Sequence, residues 1–364
     1  MKVLLANSET SLRGGEFQTF LLGRGLERAG CEVMIATRAG SALEEKVSGS
    51  LPCTTFRFER VPLATPVALS RFIARWRPDI IHAQTSDAHT HVWLARRLLR
   101  KAPPLVVSRR VAFQVAKDLF SLFKYRTGVA HYIPISAAAA ASLGGVGVPP
   151  ADMTIIPSGV DVKAFQGAKG SPGSLEKWGA AKQEVLIGTV AAFEAEKGHL
   201  VLVRAAARVV QVHPRTRFIF IGEGRLRNKI EAEISRSGLS GTVVLAALEA
   251  PLEEVLSHFD IFVLPSLQEG LSTALIAALA AGVPAVASLT GGIPDVLTPE
   301  CGILVPPGDA GALAGAIVKL EHDVELRKKM GIAGRKRALD FDISLVVRRT
   351  LEVYGHVLRG KISR

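Results

Sequence analysis

The feature that most constrains this chain is the regular alternation of short, continuous apolar runs with amphipathic helical stretches. In the first half VLLA (3–6), VMIAT (33–37), DIIHAQ (79–84), LVVS (105–108) and YIPIS (132–136) read as strands. The second half repeats the scheme with VLIGTVA (185–191), RFIFIG (217–222), VVLAA (243–247), IFVLPS (261–266), AVAS (285–288) and GILV (302–305). Strands this apolar need cover on both faces, and stretches such as FQTFLLGRGLERAG and DAHTHVWLARRLLRK provide it as helices. The pattern predicts an α/β protein of two doubly wound, Rossmann-like parallel-sheet domains facing across a cleft. At 364 residues, each domain has room for its own core.

Between the halves, VKAFQGAKGSPGSLEKWGAAKQ is rich in Gly, Ala, Ser and Lys, with turn signals at 171–173, and reads as the linker. The domains are accordingly placed at 1–165 and 166–344. The strongly periodic FDISLVVRRTLEVYGHVL near the end finishes the second domain or returns to brace the first. Residues 345–364 are assigned to the first as a crossing helix.

Composition narrows the classes. Three scattered cysteines, Cys31, Cys53 and Cys301, have no metal-ligand spacing and point to a reduced, cytoplasmic setting without disulfides. MKVLLANSE stops being apolar at Asn7, too early for a signal peptide. ALIAALAAGVPAVA is broken by Gly282 and Pro284, short of the ~20 residues that span a bilayer. The formal net charge is +12, and nine basic residues against one acid, Asp118, lie between Arg96 and Arg126. Aromatics are few and no nucleic-acid-binding signature is present, so nucleic acid is not the expected partner. In FQVAKDLFSLFKYR, Phe113, Leu119, Phe120, Leu122 and Phe123 stand among basic residues, as in helices that lie on an anionic membrane surface. A solvated basic face over an ordinary core helix reads as well.

Three strand-end loops carry chemistry. In PSLQEGLSTALIAALAAGVP (265–284), a Ser-x-x-Glu-Gly turn leads from a strand into a helix whose first amides make an anion site. Glu269 in that turn suits a neutral polyol whose hydroxyls donate to it; it also reads as a helix cap. In SLRGGEFQTF, Gly14 and Gly15 follow the first strand, allowing close approach of a phosphate or making a plain tight turn. This is not the Gly-x-Gly-x-x-Gly fingerprint, and no acid ends the second strand, so NAD is not expected. In AAFEAEKGH, Lys197 precedes a helix and suits a phosphate as a point charge.

The order and spacing of the Gly14-Gly15 loop, RPDIIH, IIPSGVD, EKGH, IGEG, FDIFVLPSLQEGLST, AAGVPAVAS, GGIPDVL and GILVPPGD resemble the retaining, nucleotide-sugar-dependent glycosyltransferases of the GT-B fold, family 4. The resemblance covers nearly the whole chain. It implies a donor nucleotide-sugar in the second domain, an acceptor mainly in the first, retention at the anomeric carbon, and no metal ion or other cofactor. Lys197 would then hold the donor diphosphate, with Gly222 and the backbone of Gly270, Leu271, Ser272 and Thr273 also donor-binding. Glu269 would accept from sugar hydroxyls, and the Gly14-Gly15 loop would close over the diphosphate. Lys197 and Glu269 are thus the expected catalytic residues. The loops at 246–249 and 222–225 would select the base and sugar. The basic, aromatic segment 109–126 points to a cell-surface or lipid-linked glycan, such as lipopolysaccharide, as the acceptor, and the expected location is the cytoplasm, peripherally at the inner face of the membrane.

The chain departs from the family at three points. Eight positions after Glu269, where relatives carry a second acid for the ribose, stands Ala277; five before Lys197, where many carry arginine, stands Ala192. Where many carry a histidine near the sugar, this chain reads Ser108-Arg109-Arg110. One explanation is an active enzyme in which Arg109 or Arg110 reaches the diphosphate or an anionic acceptor. The other is a weakened homologue serving as a nucleotide-sugar-binding or partner subunit. An epimerase on the same fold would need an acid/base set not found here. His82 ends a strand and reads as structural. His89 and His91 are acceptor-side candidates, with ordinary packing as the alternative.

Overall fold

The computed structural model describes residues 1–58, 64–116, 118–170, 173–181 and 183–362. The chain forms two compact units, one of residues 1–159 with the C-terminal segment from Ile343, the other Val160–Asp342. The division therefore falls at 159/160 and 342/343, against the 165/166 and 344/345 read from the sequence.

In the first unit β1 (Lys2–Ala6), β2 (Glu32–Arg38), β3 (Cys53–Phe56), β4 (Ile80–Ala83), β5 (Leu105–Arg109) and β6 (His131–Pro134) form one sheet. Its order is β3-β2-β1-β4-β5-β6, and every pairing is parallel. Successive side chains of a strand point to opposite faces, so each apolar run feeds two cores. Leu4 and Ala6 pack with Leu69, Val92, Trp93 and Tyr132 on one face. Val3 and Leu5 pack with Phe20, Ile35, Val353 and Tyr354 on the other. The last two belong to the helix Ile343–Ile362, whose buried stripe braces this unit. β3 escaped the sequence reading because it is half exposed and lies at the sheet edge, so it lacks a continuous apolar run.

In the second unit β7 (Val185–Val190), β8 (Thr216–Ile221), β9 (Val243–Ala246), β10 (Ile261–Leu264), β11 (Ala285–Ser288) and β12 (Gly302–Val305) form the sheet β12-β11-β10-β7-β8-β9. Its core joins Phe218, Phe220, Ile230, Val263, Val286 and Ile317. Read from β9, the order is that of the first unit. Each sheet is wound outward from two adjacent strands, β1 beside β4 and β7 beside β10. At such a switch point the following loops diverge, and the crevice beyond the carboxyl ends of the strands receives ligands.

The expected linker is not loose. Val162–Phe165 is a short helix with Val162 and Phe165 buried. Trp178 is buried against His258 and Phe259, with ring centroids 5.5 and 5.9 Å away. A Cβ at Gly170 would collide with the His258 ring. The segment is part of the second unit, and residues 171 and 172 of its expected turn lie outside the described residues. No helix among the described residues is long and apolar enough to cross a membrane.

Across the first sheet, His82 of β4 is held by Tyr354 Oη at 2.7 Å on Nδ1 and by Ser108 Oγ at 2.9 Å on Nε2. Burial, helped by Arg110, pushes its pKa down to about 3, so the ring is neutral. Tyr354→Phe leaves Nδ1 buried without a partner, which is expected to cost about 1–3 kcal/mol. Denaturant unfolding checks this; an unchanged midpoint would show that the bond does not hold the C-terminal helix.

Candidate functional site

At the switch point of the second sheet, the loops after β7 and β10 are tied together. Leu267 and Gln268 donate their amides to the Glu196 carbonyl at 2.7 and 3.2 Å. Gly198 has φ of +68°, and a Cβ there would strike the Pro265 carbonyl, so only glycine lets the two backbones approach. Gly291, at φ +56°, does the same against the carbonyl of Glu269. The outcome is a fixed pair: Lys197 Nζ lies 2.7 Å from Glu269 Oε2, which Ser266 Oγ also reaches at 3.2 Å. The Glu269 side chain is 8% exposed and that of Lys197 22%, so the ion pair is largely shielded from water. His199, beneath Lys197, is buried against Phe193 and held neutral, its pKa pushed down to about 4 by burial and by the lysine.

The helix that follows, Thr273–Ala281, is capped by Ser272, whose side chain accepts from the Leu275 amide at 3.2 Å. Capping therefore falls to Ser272 and leaves Glu269 free of it. Gly270 and Thr273 are partly exposed and Leu271 is buried, so this stretch offers its helix-start backbone more than its side chains. Ala277 is fully buried in the same helix, and Ala192 is partly exposed in the loop after β7. Gly222 is needed for another reason than a ligand: a Cβ there would strike the Ala191 carbonyl.

The first-unit candidates divide. Gly14 and Gly15 open the helix Gly14–Arg28, and neither has a positive φ, so no glycine-only turn is made there. Arg110 reaches back to that helix start: its Cδ is 3.6 Å from where a Cβ on Gly15 would lie, and its Nη2 donates to Gln84 Oε1 at 2.6 Å. Arg109 is buried, donating to the Phe113 carbonyl and, at 3.5 Å, to Tyr125 Oη. His89 is corrected from an acceptor-side candidate to a packing residue. It has no exposed surface, lies edge-on to Tyr125 and Tyr132, and burial with Lys124 and Arg109 holds its pKa well below the usual range. His91 is likewise buried, bonded through Nδ1 to the Asp87 carbonyl and edge-on to Phe58.

The sequence reading missed Ser266, Gly198 and Gly291 as individuals, although each lies within a quoted motif. Arg225, at the end of the 222–225 loop expected to select base and sugar, makes two hydrogen bonds, at 2.8 and 3.0 Å, to the buried Glu194 beside the Lys197 loop. Among the described residues, no cluster of three or more His, Cys, Asp or Glu is placed to hold a metal ion. A lysine, a helix start and a shielded carboxylate close together can bind an anion and a hydroxylated neutral group side by side.

Comparison with known proteins places the chain in a family. A family model described as glycosyl transferases group 1 matches residues 173–337, and one described as glycosyltransferase family 4 matches residues 12–164. The sulfoquinovosyl transferase SQD2 of Arabidopsis thaliana is 28% identical over 349 residues, 90% of this chain and 67% of the relative. The chain spans about half the length of several other curated relatives. A glycosyltransferase structure from Rickettsia africae superposes with a TM-score of 0.86 at 18% identity, covering 98% of each chain. HepE of Anabaena, in complex with UDP and glucose, superposes with 0.84 at 19% identity, covering 98% of this chain and 100% of its own. The architecture is therefore GT-B. With one family model on each unit, in that order, the chain belongs to the group 1 glycosyltransferases of family 4.

Proposed function

We propose that this protein moves a sugar from a nucleoside-diphosphate sugar to a cell-envelope glycan or lipid-linked acceptor, with retention of anomeric configuration and without a metal ion. The observation that carries the reading is the Lys197–Glu269 pair at the switch point of the second sheet. As the sugar–phosphate bond breaks, negative charge builds on the departing diphosphate and positive charge on the sugar. Lys197 and the first amides of the Thr273–Ala281 helix stabilise the first, doing electrostatically what a metal ion does elsewhere. Glu269, released when Lys197 turns to the phosphate, accepts from the sugar hydroxyls. SQD2, named a sulfoquinovosyl transferase, and HepE, which holds UDP and glucose, support a sugar-nucleotide donor.

The acceptor side is read from the helix Leu119–Arg126. Leu119 is 87% exposed, Phe120 and Phe123 about half exposed, and Arg97, Arg100, Lys101 and Arg126 are exposed nearby in the chain. The Arg97 guanidinium lies 3.4 Å from the Trp93 ring centroid and 5.1 Å from that of Phe123. An apolar ridge with cations around it suits a membrane rich in anionic lipid, at the cytoplasmic face. Lys124 does not contribute, being buried and bonded to Thr90 Oγ1 at 3.0 Å, and Lys117 lies outside the described residues. A second reading, a homologue that binds the donor without turning it over, is favoured by Ala192 and Ala277, which leave the site short of a cation and an acid.

Lys197→Ala and Glu269→Ala are each expected to reduce donor turnover about 10²–10³-fold; a near-normal rate in either removes that residue from the mechanism. Ala277→Glu should tighten nucleotide binding by about one to two decades, the worth of a charge-assisted bond to ribose, while lowering the melting temperature of the free protein by burying an unpaired carboxylate. Unchanged or weaker affinity would mean that the nucleotide is held another way. Replacing Leu119, Phe120 and Phe123 by serine should abolish binding to phosphatidylglycerol vesicles in a sedimentation assay. Undiminished binding would remove this helix as the membrane face.

A further inference from the structure

The helix Leu119–Arg126 of the first unit is amphipathic in the inverse sense to a helix seated on a core. At about 100° per residue, Leu119, Phe120, Phe123 and Arg126 share one arc, and all four are exposed. Ser121, Lys124 and Tyr125 share the opposite arc; the first is half-buried and the other two are buried. Leu122 lies half-buried at the boundary. Aromatic contacts hold the helix in this orientation. Trp93, on the helix Ser86–Arg97, donates its indole N–H to the Thr127 carbonyl at 2.8 Å. Its ring meets Phe120 and Phe123 edge-on, with centroids 5.8 and 5.7 Å away.

Lys124 opposes that seating. Its Nζ donates to Thr90 Oγ1 at 3.0 Å and lies 4.9 Å from the Tyr125 ring centroid, and no carboxylate among the described residues pairs with it. The acids whose charge it feels, Asp87 and Asp118, are both exposed, and Asp118 is engaged by Ser121 as the helix cap. Arg109, buried beside Tyr125, repels it, and Arg109 Nε is itself buried without a partner. His89, against the same tyrosine, is neutral, and both its ring nitrogens lack partners. Burial, against the pull of Asp87, pushes the Lys124 pKa down to about 8. A bilayer makes this seat worse. Covering the outward arc with lipid removes the water beside the layer beneath it, so a charged Lys124 must lose its proton or leave. Leaving costs little at Thr90, whose hydroxyl still donates to the Ser86 carbonyl at 3.1 Å. The long lysine stem lets the ammonium reach a phosphate layer while its methylenes stay in apolar surroundings.

We propose that Lys124 is a binding residue for the phosphate of an anionic lipid, withheld in the free chain and released when the helix Leu119–Arg126 lifts from Ser86–Arg97 on the bilayer. The site rests on the membrane reading given above and adds a movement to it. Leu119, Phe120 and Phe123 enter the lipid first, and Lys124 then exchanges the Thr90 hydroxyl for a lipid phosphate. The unfavourable layer of Arg109, His89 and Lys124 is relieved in the same step, which favours the lifted state wherever anionic lipid is present.

The test is acetic anhydride labelling of the full chain, read by mass spectrometry at Lys124, with the exposed Lys336 of the second unit as internal reference. Lys124 should be protected in the free chain, and should stay so with phosphatidylcholine vesicles or with inorganic phosphate. With phosphatidylglycerol vesicles its labelling should rise about tenfold or more as the helix opens. Sedimentation of the chain with those vesicles while Lys124 stays protected would overturn the site and leave the membrane face standing. Failure to sediment would remove both. Release by inorganic phosphate alone would overturn the assignment to a bilayer. Lys124→Met, which fills the same space without the charge, should melt no lower than the native chain. It should bind phosphatidylglycerol vesicles about fivefold more weakly, the worth of one lysine at an anionic surface. A lower melting temperature would contradict the unfavourable seat, and undiminished binding would contradict the phosphate contact.

Discussion

The contact on which the candidate site depends is the close backbone approach between the loops after β7 and β10. These strands are hydrogen-bonded neighbours, yet the chain leaves them toward opposite edges of the sheet, so their loops must separate unless something ties them. Gly198 against Pro265 and the two amides on Glu196 do so, and Gly291 lets the loop after β11 close on Glu269 from the other side of the chain's path. Lys197 and Glu269, 72 residues apart in sequence, then meet at 2.7 Å. The pair is mutually neutralised where the shielding of Glu269 would make its charge alone costly. A ligand bringing an anion for the lysine and hydroxyls for the glutamate replaces one satisfied arrangement with another. Charge is thereby stored where the reaction uses it, with little rearrangement of the backbone.

Much of the fold was legible in the chain because its strands are buried on both faces and appear as unbroken apolar runs. β3 was not, since an edge strand with half-exposed Cys53–Phe56 carries no such run. The segment read as a linker was misleading for a related reason. Its glycines and lysines suggested slack, but three apolar residues, Val162, Phe165 and Trp178, bind it to the second unit. Composition averages over a stretch, whereas packing is decided by a few side chains.

For the site, residue type and position beside a strand end were informative, but partnership was not. Glu269 read equally as a cap or as a sugar acceptor until Ser272 proved to be the cap. Histidine in an amphipathic helix signals nothing about depth, and His89 is enclosed by Tyr125 and Tyr132, which come from distant segments. The Gln84–Arg110 bond likewise joins residues from two strand ends, and only the structure shows that Gln84 Nε2 and Arg110 Nε are buried without partners. The two units thus differ in electrostatic character. The second holds a compensated lysine, and the first an arginine held by an amide in place of a carboxylate.

The most direct test of the account is whether a sugar nucleotide binds through Lys197. Thermal shift of the full chain should be measured with UDP-, GDP-, ADP- and CMP-sugars, in parallel for the native protein and Lys197→Met. At least one donor should raise the native melting temperature, with a much smaller effect on the variant. An absence of any response in the native protein, or equal responses in both, would contradict the assignment of the Lys197–Glu269 pocket as the donor site.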